Sequence, residues 1–146
     1  MKISQKMTIS FTHIIWMIKG DLIMIEKIKK KYKIEKISDE TYIIQTDEWF
    51  QNGDAIDIYL IKENKIFFLL SEDIFFEIFI KKGNLNYKEK QKINNISSSN
   101  GINFIEEEEI LKIKVDEENI LKKIKKMIEV IKKLENIFLK KDKISK

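Results

Sequence analysis

Five acidic residues stand on or beside segments whose composition predicts neighbouring strands: Asp47, Asp54, Asp57, Glu72 and Asp73. Carboxylates on adjacent strands can converge and hold Mg²⁺, which is the ligand chemistry of a two-metal nuclease. The same residues also fit solvated strand ends and the start of a helix, where negative charge is favourable. No acid-x-lysine pair of the kind found in nucleases occupies a predicted strand. The sequence therefore favours the second interpretation, and we expect no bound metal.

Four consecutive glutamates occupy the predicted turn between the last two strands. Their like charges repel one another, which costs stability unless solvent or a cationic partner relieves it. Residues 40–80 are also acidic, with nine acids and two lysines. An acidic end of a sheet could engage a partner protein with a basic surface, while solubility is the plainer explanation. The candidate binding residues are Glu106, Glu107, Glu108, Glu109, Asp54, Asp57, Glu72 and Asp73.

The last predicted helix carries the opposite charge. All 28 basic residues of the chain are lysine, and residues 119–146 contain ten of them against three acids. Lysines on this helix could contact nucleic-acid phosphates in a salt-dependent way. The absence of arginine removes the commonest reader of guanine, so such binding would be directed at the backbone. A solvated helix face explains the same pattern. The residues of this alternative are Lys122, Lys125, Lys132 and Lys133.

Other kinds of catalytic chemistry lack their residues. The chain has no cysteine, and its single histidine, His13, lies in an apolar run without a motif partner. The four glycines match neither dinucleotide-binding nor P-loop spacing. We therefore expect no catalytic residue and no cofactor. No apolar run approaches the ~20 residues of a membrane-spanning helix, so we also expect no membrane partner and a cytoplasmic location.

The charged residues must be positioned by strands and helices that the sequence also predicts. Residues 41–50, 54–61 and 66–70 are rich in β-branched and aromatic side chains, which favours three strands. Asn52-Gly53 predicts a hairpin turn between the first two. Two further strands flank the four glutamates, at residues 102–105 and 110–115.

Helices complete the predicted architecture. Residues 21–34 show amphipathic spacing, residues 74–81 are almost wholly apolar, and residues 120–138 repeat apolar side chains at four-three spacing. We expect the apolar helix to be buried between the sheet and another helix. Strands and helices run in groups, which predicts an α+β fold with a mainly antiparallel sheet of about five strands. Helices are expected on one face, with a long C-terminal amphipathic helix.

Two strings carry a resemblance to a known family: Gly53–Leu60, and Leu70–Asp73 followed by Ile74-Phe75. The polar helix that ends in Asn100-Gly101-Ile102 and the closing amphipathic helix agree with it. Together, residues 24–138 resemble an uncharacterised family of phages, plasmids and other bacterial mobile elements, catalogued as domain of unknown function 1828. The resemblance implies this fold and a mobile-element setting, and it implies no reaction.

We expect a single domain over residues 24–146, preceded by residues 1–23 as an over-called start or an additional packed element. The most concrete hypothesis is a small non-enzymatic binding protein that inhibits a bacterial antiviral defence system, as anti-CRISPR proteins do, through its acidic surface. One alternative is a metal-dependent nuclease that uses the hairpin aspartates. The other is a nucleic-acid-binding protein that uses the lysines of the last helix.

Overall fold

The computed structural model describes residues 21–139. Helix α1 covers residues 21–29, and nine further elements follow it along the chain. They are β1 (Lys33–Ser38), β2 (Thr41–Trp49), β3 (Ala55–Glu63), β4 (Ile66–Ser71), α2 (Asp73–Lys82), α3 (Tyr87–Ser99), β5 (Asn103–Ile105), β6 (Ile110–Val115) and α4 (Ile120–Phe138).

The strands form one sheet in the order β1-β2-β3-β4-β6-β5. Every neighbouring pair is antiparallel. The chain leaves the sheet after β4 and builds α2, α3 and the short β5 before β6 returns to pair with β4. The α+β class, the antiparallel sheet and the long last helix are confirmed. The sheet has six strands, one more than expected.

The additional strand is β1, whose first residues were predicted to continue the first helix. That helix ends at residue 29, and Lys33–Ser38 pairs with β2 instead. Nearly all of β1 is exposed, and it alternates lysine and glutamate with two isoleucines. Charged side chains on an edge strand oppose pairing with another chain. Because the strand has no buried apolar face, the alternation of apolar and polar residues did not predict it.

The helices and one face of the sheet enclose a single core. Ile58 and Leu60 of β3 are fully buried, in the same cluster as Ile28 of α1 and Ile131 of α4. Tyr59, which lies between the two β3 residues in sequence, points to the opposite face of the sheet and is half-buried. The expected placement of the helices on one face is therefore confirmed.

Helix α2 does not have the complete burial that its composition predicts. Ile74, Phe75 and Ile78 pack inward, and Phe75 stacks on Phe104 of β5 with ring centroids 5.2 Å apart. The other side of α2 faces solvent, because only one stripe of a surface helix can contact the core. The exposed apolar side chains are Phe76, Phe79 and Ile80.

The segments that lead into α2 and α4 form different hydrogen bonds. At α2, Glu72 makes no side-chain cap bond, and the Ser71 hydroxyl is buried in the core face of β4. Helix α4 begins at Ile120, so Asp116 precedes its first turn. Asp116 and Asn119 instead exchange hydrogen bonds in the turn that leads into the helix.

The expected N-terminal extension falls mostly outside the described residues, which begin at residue 21. The histidine considered above, His13, lies outside them as well. Met24 and Ile28 are core residues, so α1 belongs to the described domain. Within residues 21–139, no helix has both the length and the apolar character needed to cross a membrane.

Candidate functional site

Three acidic turns lie at the same end of the antiparallel sheet. The pair Trp49 and Ala55 places the β2–β3 turn where β3 begins. The pairing of β3 with β4 places the end of β4 there too, and Ser71 pairs with Leu111 near the start of β6. Glu106–Glu109 form the β5–β6 turn directly before it. Segments that are distant in sequence therefore bring their carboxylates together.

The carboxylates of two of these turns share a cleft of about 350 Å³. Glu72 and Asp73 line one part of it, and Glu108 and Glu109 line another. Helix α2 contributes three phenyl rings to the same cleft, from Phe75, Phe76 and Phe79. The cleft thus combines concentrated negative charge with aromatic surface.

Asp73 is the carboxylate most affected by this arrangement. Partial burial, reinforced by the nearby charges of Asp57, Glu72 and Asp54, raises the pKa of Asp73 from its ordinary value of 3.8 to about 6. A hydrogen bond with the backbone of Asp57 opposes the shift without cancelling it. Burial also raises the pKa of Asp57. Burial is the main cause of both shifts, and repulsion from the neighbouring carboxylates adds to the shift of Asp73.

The β2–β3 turn is joined to α2 by a polar network. Asn52 donates from Nδ2 to Asp54 at 3.1 Å and to Glu77 at 2.9 Å, and its Oδ1 accepts the Asp54 backbone N–H. Partial burial and a hydrogen bond with Asp54 raise the pKa of Glu77. Gly53 follows Asn52 with a φ of 94°, as the predicted Asn-Gly turn requires. Glu77 therefore lies beside the acidic residues of the β2–β3 turn.

The same turn is also held by the last helix. The Glu135 carboxylate is buried, and it accepts the backbone N–H of Gln51 at 2.5 Å. The Gln51 side chain donates to Asn136 Oδ1 at 3.1 Å. Both Glu135 and Asn136 belong to α4, so two helices fix the position of the acidic turn.

We call this surface the acidic end. None of its members takes part in the ion pairs that join described residues. Within residues 21–139, its negative charge is therefore not balanced by a lysine in an ion pair. The acidic end consists of Asp54, Asp57, Glu72, Asp73, Glu77, Glu108 and Glu109.

The run of four glutamates is divided by the structure. Glu106 and Glu107 turn towards a second cleft, next to the loop between α2 and α3. Glu106 lies 4.0 Å from the ammonium group of Lys90 in α3. Glu108 and Glu109 line the aromatic cleft, and Glu109 also borders the second cleft. Six of the eight predicted binding residues thus belong to the acidic end, whereas Glu106 and Glu107 do not line the aromatic cleft.

The arrangement gives little support to a metal site. No group of three or more acidic or histidine side chains within residues 21–139 is placed to hold a metal ion. Asp47 lies in a bulge of β2, with a φ of 58°, where the register with β3 shifts. Its charge is not among those that raise the pKa of Asp73. Asp47 therefore lies apart from the other aspartates that were considered for a metal site.

Three of the four lysines of the nucleic-acid alternative share the exposed side of α4: Lys122, Lys125 and Lys133. The fourth, Lys132, is half-buried and pairs with Glu48 of β2. Glu129 lies within the same exposed stripe and interrupts its positive charge. The pattern fits the outer face of an amphipathic helix.

Sequence reasoning missed the residues that complete the site. Glu77 stands in an almost wholly apolar segment, where one charge gives no periodic signal. Phe76 and Phe79 are next to buried residues of α2 in sequence, and only the geometry of the helix places them on its other side. The spacing of Phe76, Phe79 and Ile80, at i, i+3 and i+4, was the available signal for a second apolar stripe.

The chain matches no protein-family model, no curated protein and no solved structure.

Proposed function

We propose that this protein is a non-enzymatic binding protein that engages a basic surface of a partner protein through its acidic end. The observation that carries the proposal is the convergence of seven carboxylates from separate segments, none of them paired with a described lysine. The most concrete partner is the nucleic-acid channel of a bacterial RNA-guided defence nuclease. Such inhibition would take place in the cytoplasm of the host cell, in the mobile-element setting expected from the family resemblance.

The physical support is an unfavourable interaction that a cationic partner would relieve. Partial burial and, to a smaller extent, the charges of the neighbouring carboxylates raise the pKa of Asp73 to about 6, so ionised Asp73 is destabilised. A lysine or arginine of a partner would place a positive charge near Asp73, which would favour the ionised carboxylate. Opposite potentials across an interface also accelerate association and select partners by charge. The acidic end therefore suits recognition more than it suits stability of the isolated chain.

Fluorescence anisotropy with a labelled lysine-rich peptide, at low and high salt, tests this function. The acidic variant combines Glu72→Gln, Asp73→Asn, Glu108→Gln and Glu109→Gln. The matched variant changes Lys122, Lys125, Lys132 and Lys133 to Gln. We expect the acidic variant to weaken peptide binding about tenfold or more at low salt, with a smaller difference at high salt. The lysine variant should bind like the unmodified protein.

The same two variants, mixed with labelled RNA and DNA, measure the nucleic-acid alternative. Loss of RNA or DNA binding in the lysine variant, with full binding in the acidic variant, would make α4 the functional element. Mg²⁺-dependent cleavage that Asp57→Asn abolishes would instead establish a nuclease. Either result would overturn the proposed function.

A further inference from the structure

Helix α2 presents an apolar stripe that no described element of the fold covers. Phe76, Phe79 and Ile80 are 63%, 54% and 64% exposed, although the opposite side of the same helix is buried in the core. The three side chains are neighbours on the helix surface because their spacing is i, i+3 and i+4. Clustered exposed apolar side chains of this size are typical of interaction sites.

The stripe borders carboxylates on both sides. Phe76 and Phe79 line the cleft that contains Glu72 and Glu109. Ile80 lines a neighbouring cleft of about 340 Å³, which lies between α2, the β2–β3 turn and α4. Glu77, from the acidic end, also lines this cleft beside Ile80. Lys81 lines this neighbouring cleft as well, so a molecule that covers the stripe meets carboxylates alone only on the side of Phe76 and Phe79.

This combination limits the chemistry of the occupant. A nucleic-acid backbone would be repelled by the acidic end. A lysine or arginine side chain fits, because its stem packs on apolar surface while its head meets carboxylates. Its cationic head is also attracted to the face of a phenyl ring. The rest of the stripe requires apolar side chains from the same partner, at a spacing that matches a helix.

We infer that α2 and the adjoining cleft are a docking surface for a basic amphipathic helix of a partner protein. Apolar side chains of that helix cover Phe76, Phe79 and Ile80. A lysine or arginine enters the cleft between the pair Glu72 and Asp73 on one side and the β5–β6 turn on the other. The inference rests on the proposed function, since it names the partner chemistry that the acidic end receives.

The experiment uses the full chain and two synthetic probes. The first is a helical peptide of leucine and lysine at amphipathic spacing, about 18 residues long so that a helix can form. The second keeps every lysine and replaces every leucine by serine. Phe76→Ser combined with Phe79→Ser removes the rings from an exposed surface. The control variant, Leu22→Ser combined with Ile37→Ser, removes two exposed apolar side chains located elsewhere.

We expect the unmodified protein to bind the leucine–lysine peptide about tenfold or more tightly than the serine–lysine peptide. The Phe76→Ser, Phe79→Ser variant should lose that preference and keep its salt-dependent affinity for the serine–lysine peptide. The control variant should retain both affinities. Circular dichroism would establish that each variant is folded.

Other outcomes separate the two proposals. Equal binding of both peptides, unchanged by the phenylalanine substitutions, would overturn the docking surface and leave the acidic-end function standing. Salt-independent or absent binding of both peptides would overturn both. A dimer that sedimentation detects in the unmodified protein, and that the phenylalanine substitutions dissolve, would mean that a second copy covers α2. That result would overturn the inference.

Discussion

Asn52 and Glu77 are joined by a hydrogen bond of 2.9 Å from the amide Nδ2 to the carboxylate Oε2. Asn52 belongs to the β2–β3 turn and Glu77 to α2, so the bond ties the acidic turn to the helix that bears the exposed aromatic stripe. Charge and apolar surface are therefore held in a fixed relation. A partner that uses both would meet a surface already arranged for it, which lowers the entropic cost of binding.

The first prediction concerns pH and Asp73. Unfolded Asp73 titrates near 3.8 and folded Asp73 near 6, so between these values the folded state binds more protons. Its stabilising contribution is full below about pH 3.8 and is lost as pH rises through about 6. Asp73→Asn should therefore raise the free energy of unfolding by about 1 kcal/mol at pH 7.5, after allowance for solvent screening. Urea unfolding at pH 7.5 and pH 4 measures it.

The gain from Asp73→Asn should shrink towards zero at pH 4, where the native aspartate is largely protonated. Asn keeps the size of the side chain and an oxygen for the Asp57 backbone bond. Equal effects at both pH values would show that charge is not the cause.

The second prediction concerns the buried hydroxyl of Ser71. Its Oγ has no hydrogen-bond partner among the described residues. Ser71→Ala removes an unsatisfied polar group from the core, so it should raise the free energy of unfolding by about 1 kcal/mol. Ser97 is the matched control, because its buried Oγ donates to the Ile93 carbonyl at 2.5 Å. Chemical denaturation should show no comparable gain for Ser97→Ala; a loss in Ser71→Ala would mean that its hydroxyl is satisfied.

The third prediction concerns the core. Phe67 of β4 is buried and belongs to the core cluster, so Phe67→Ala should lower the free energy of unfolding by about 3 kcal/mol or more. Phe76→Ala is the control, since Phe76 is mostly exposed, and it should change stability by less than about 0.5 kcal/mol. Thermal or urea unfolding of both variants measures the difference. Similar values would contradict the assignment of the two sides of β4 and α2.

The fourth prediction uses the division of the four glutamates. Glu108→Gln with Glu109→Gln and Glu106→Gln with Glu107→Gln remove the same charge from the same turn. Only the first pair lines the aromatic cleft, while Glu106 lies near Lys90. Anisotropy with the leucine–lysine peptide should therefore show a loss of affinity at least about threefold larger for the first pair. Equal losses would indicate that long-range charge, and not the cleft, governs binding.

Much of the architecture follows from local sequence. Asn52-Gly53 predicted the hairpin, and the glycines that end α2 and α3 have the expected positive φ of 84° and 73°. The apolar spacing of α4 predicted its buried stripe. These features succeed because turn chemistry and helical period act over a few residues. The gathering of the predicted acids is not local in this sense, because it also depends on the pairing of β4 with β6.

Other features depend on contacts between distant segments. Strand β1 has no buried face of its own to reveal it, since pairing with β2 defines it. The two sides of α2 look alike in sequence because both are apolar, and only the position of the core distinguishes them. Glu77 joins the acidic end through Asn52, 25 residues away. A pattern that spans only a few residues cannot predict a contact of this kind.

The hydrogen bond from the Gln51 backbone N–H to Glu135 attaches the β2–β3 turn to the last turns of α4. If the end of α4 frays, this hydrogen bond breaks. The hairpin that carries Asp54 then loses its attachment to α4 and keeps the one to α2 through Asn52 and Glu77. The Gln51 amide should then exchange its hydrogen with solvent at the rate at which the helix end opens, and not at the slower rate of global unfolding. The position of the acidic turn therefore depends on the C-terminal turns of α4 as well as on α2.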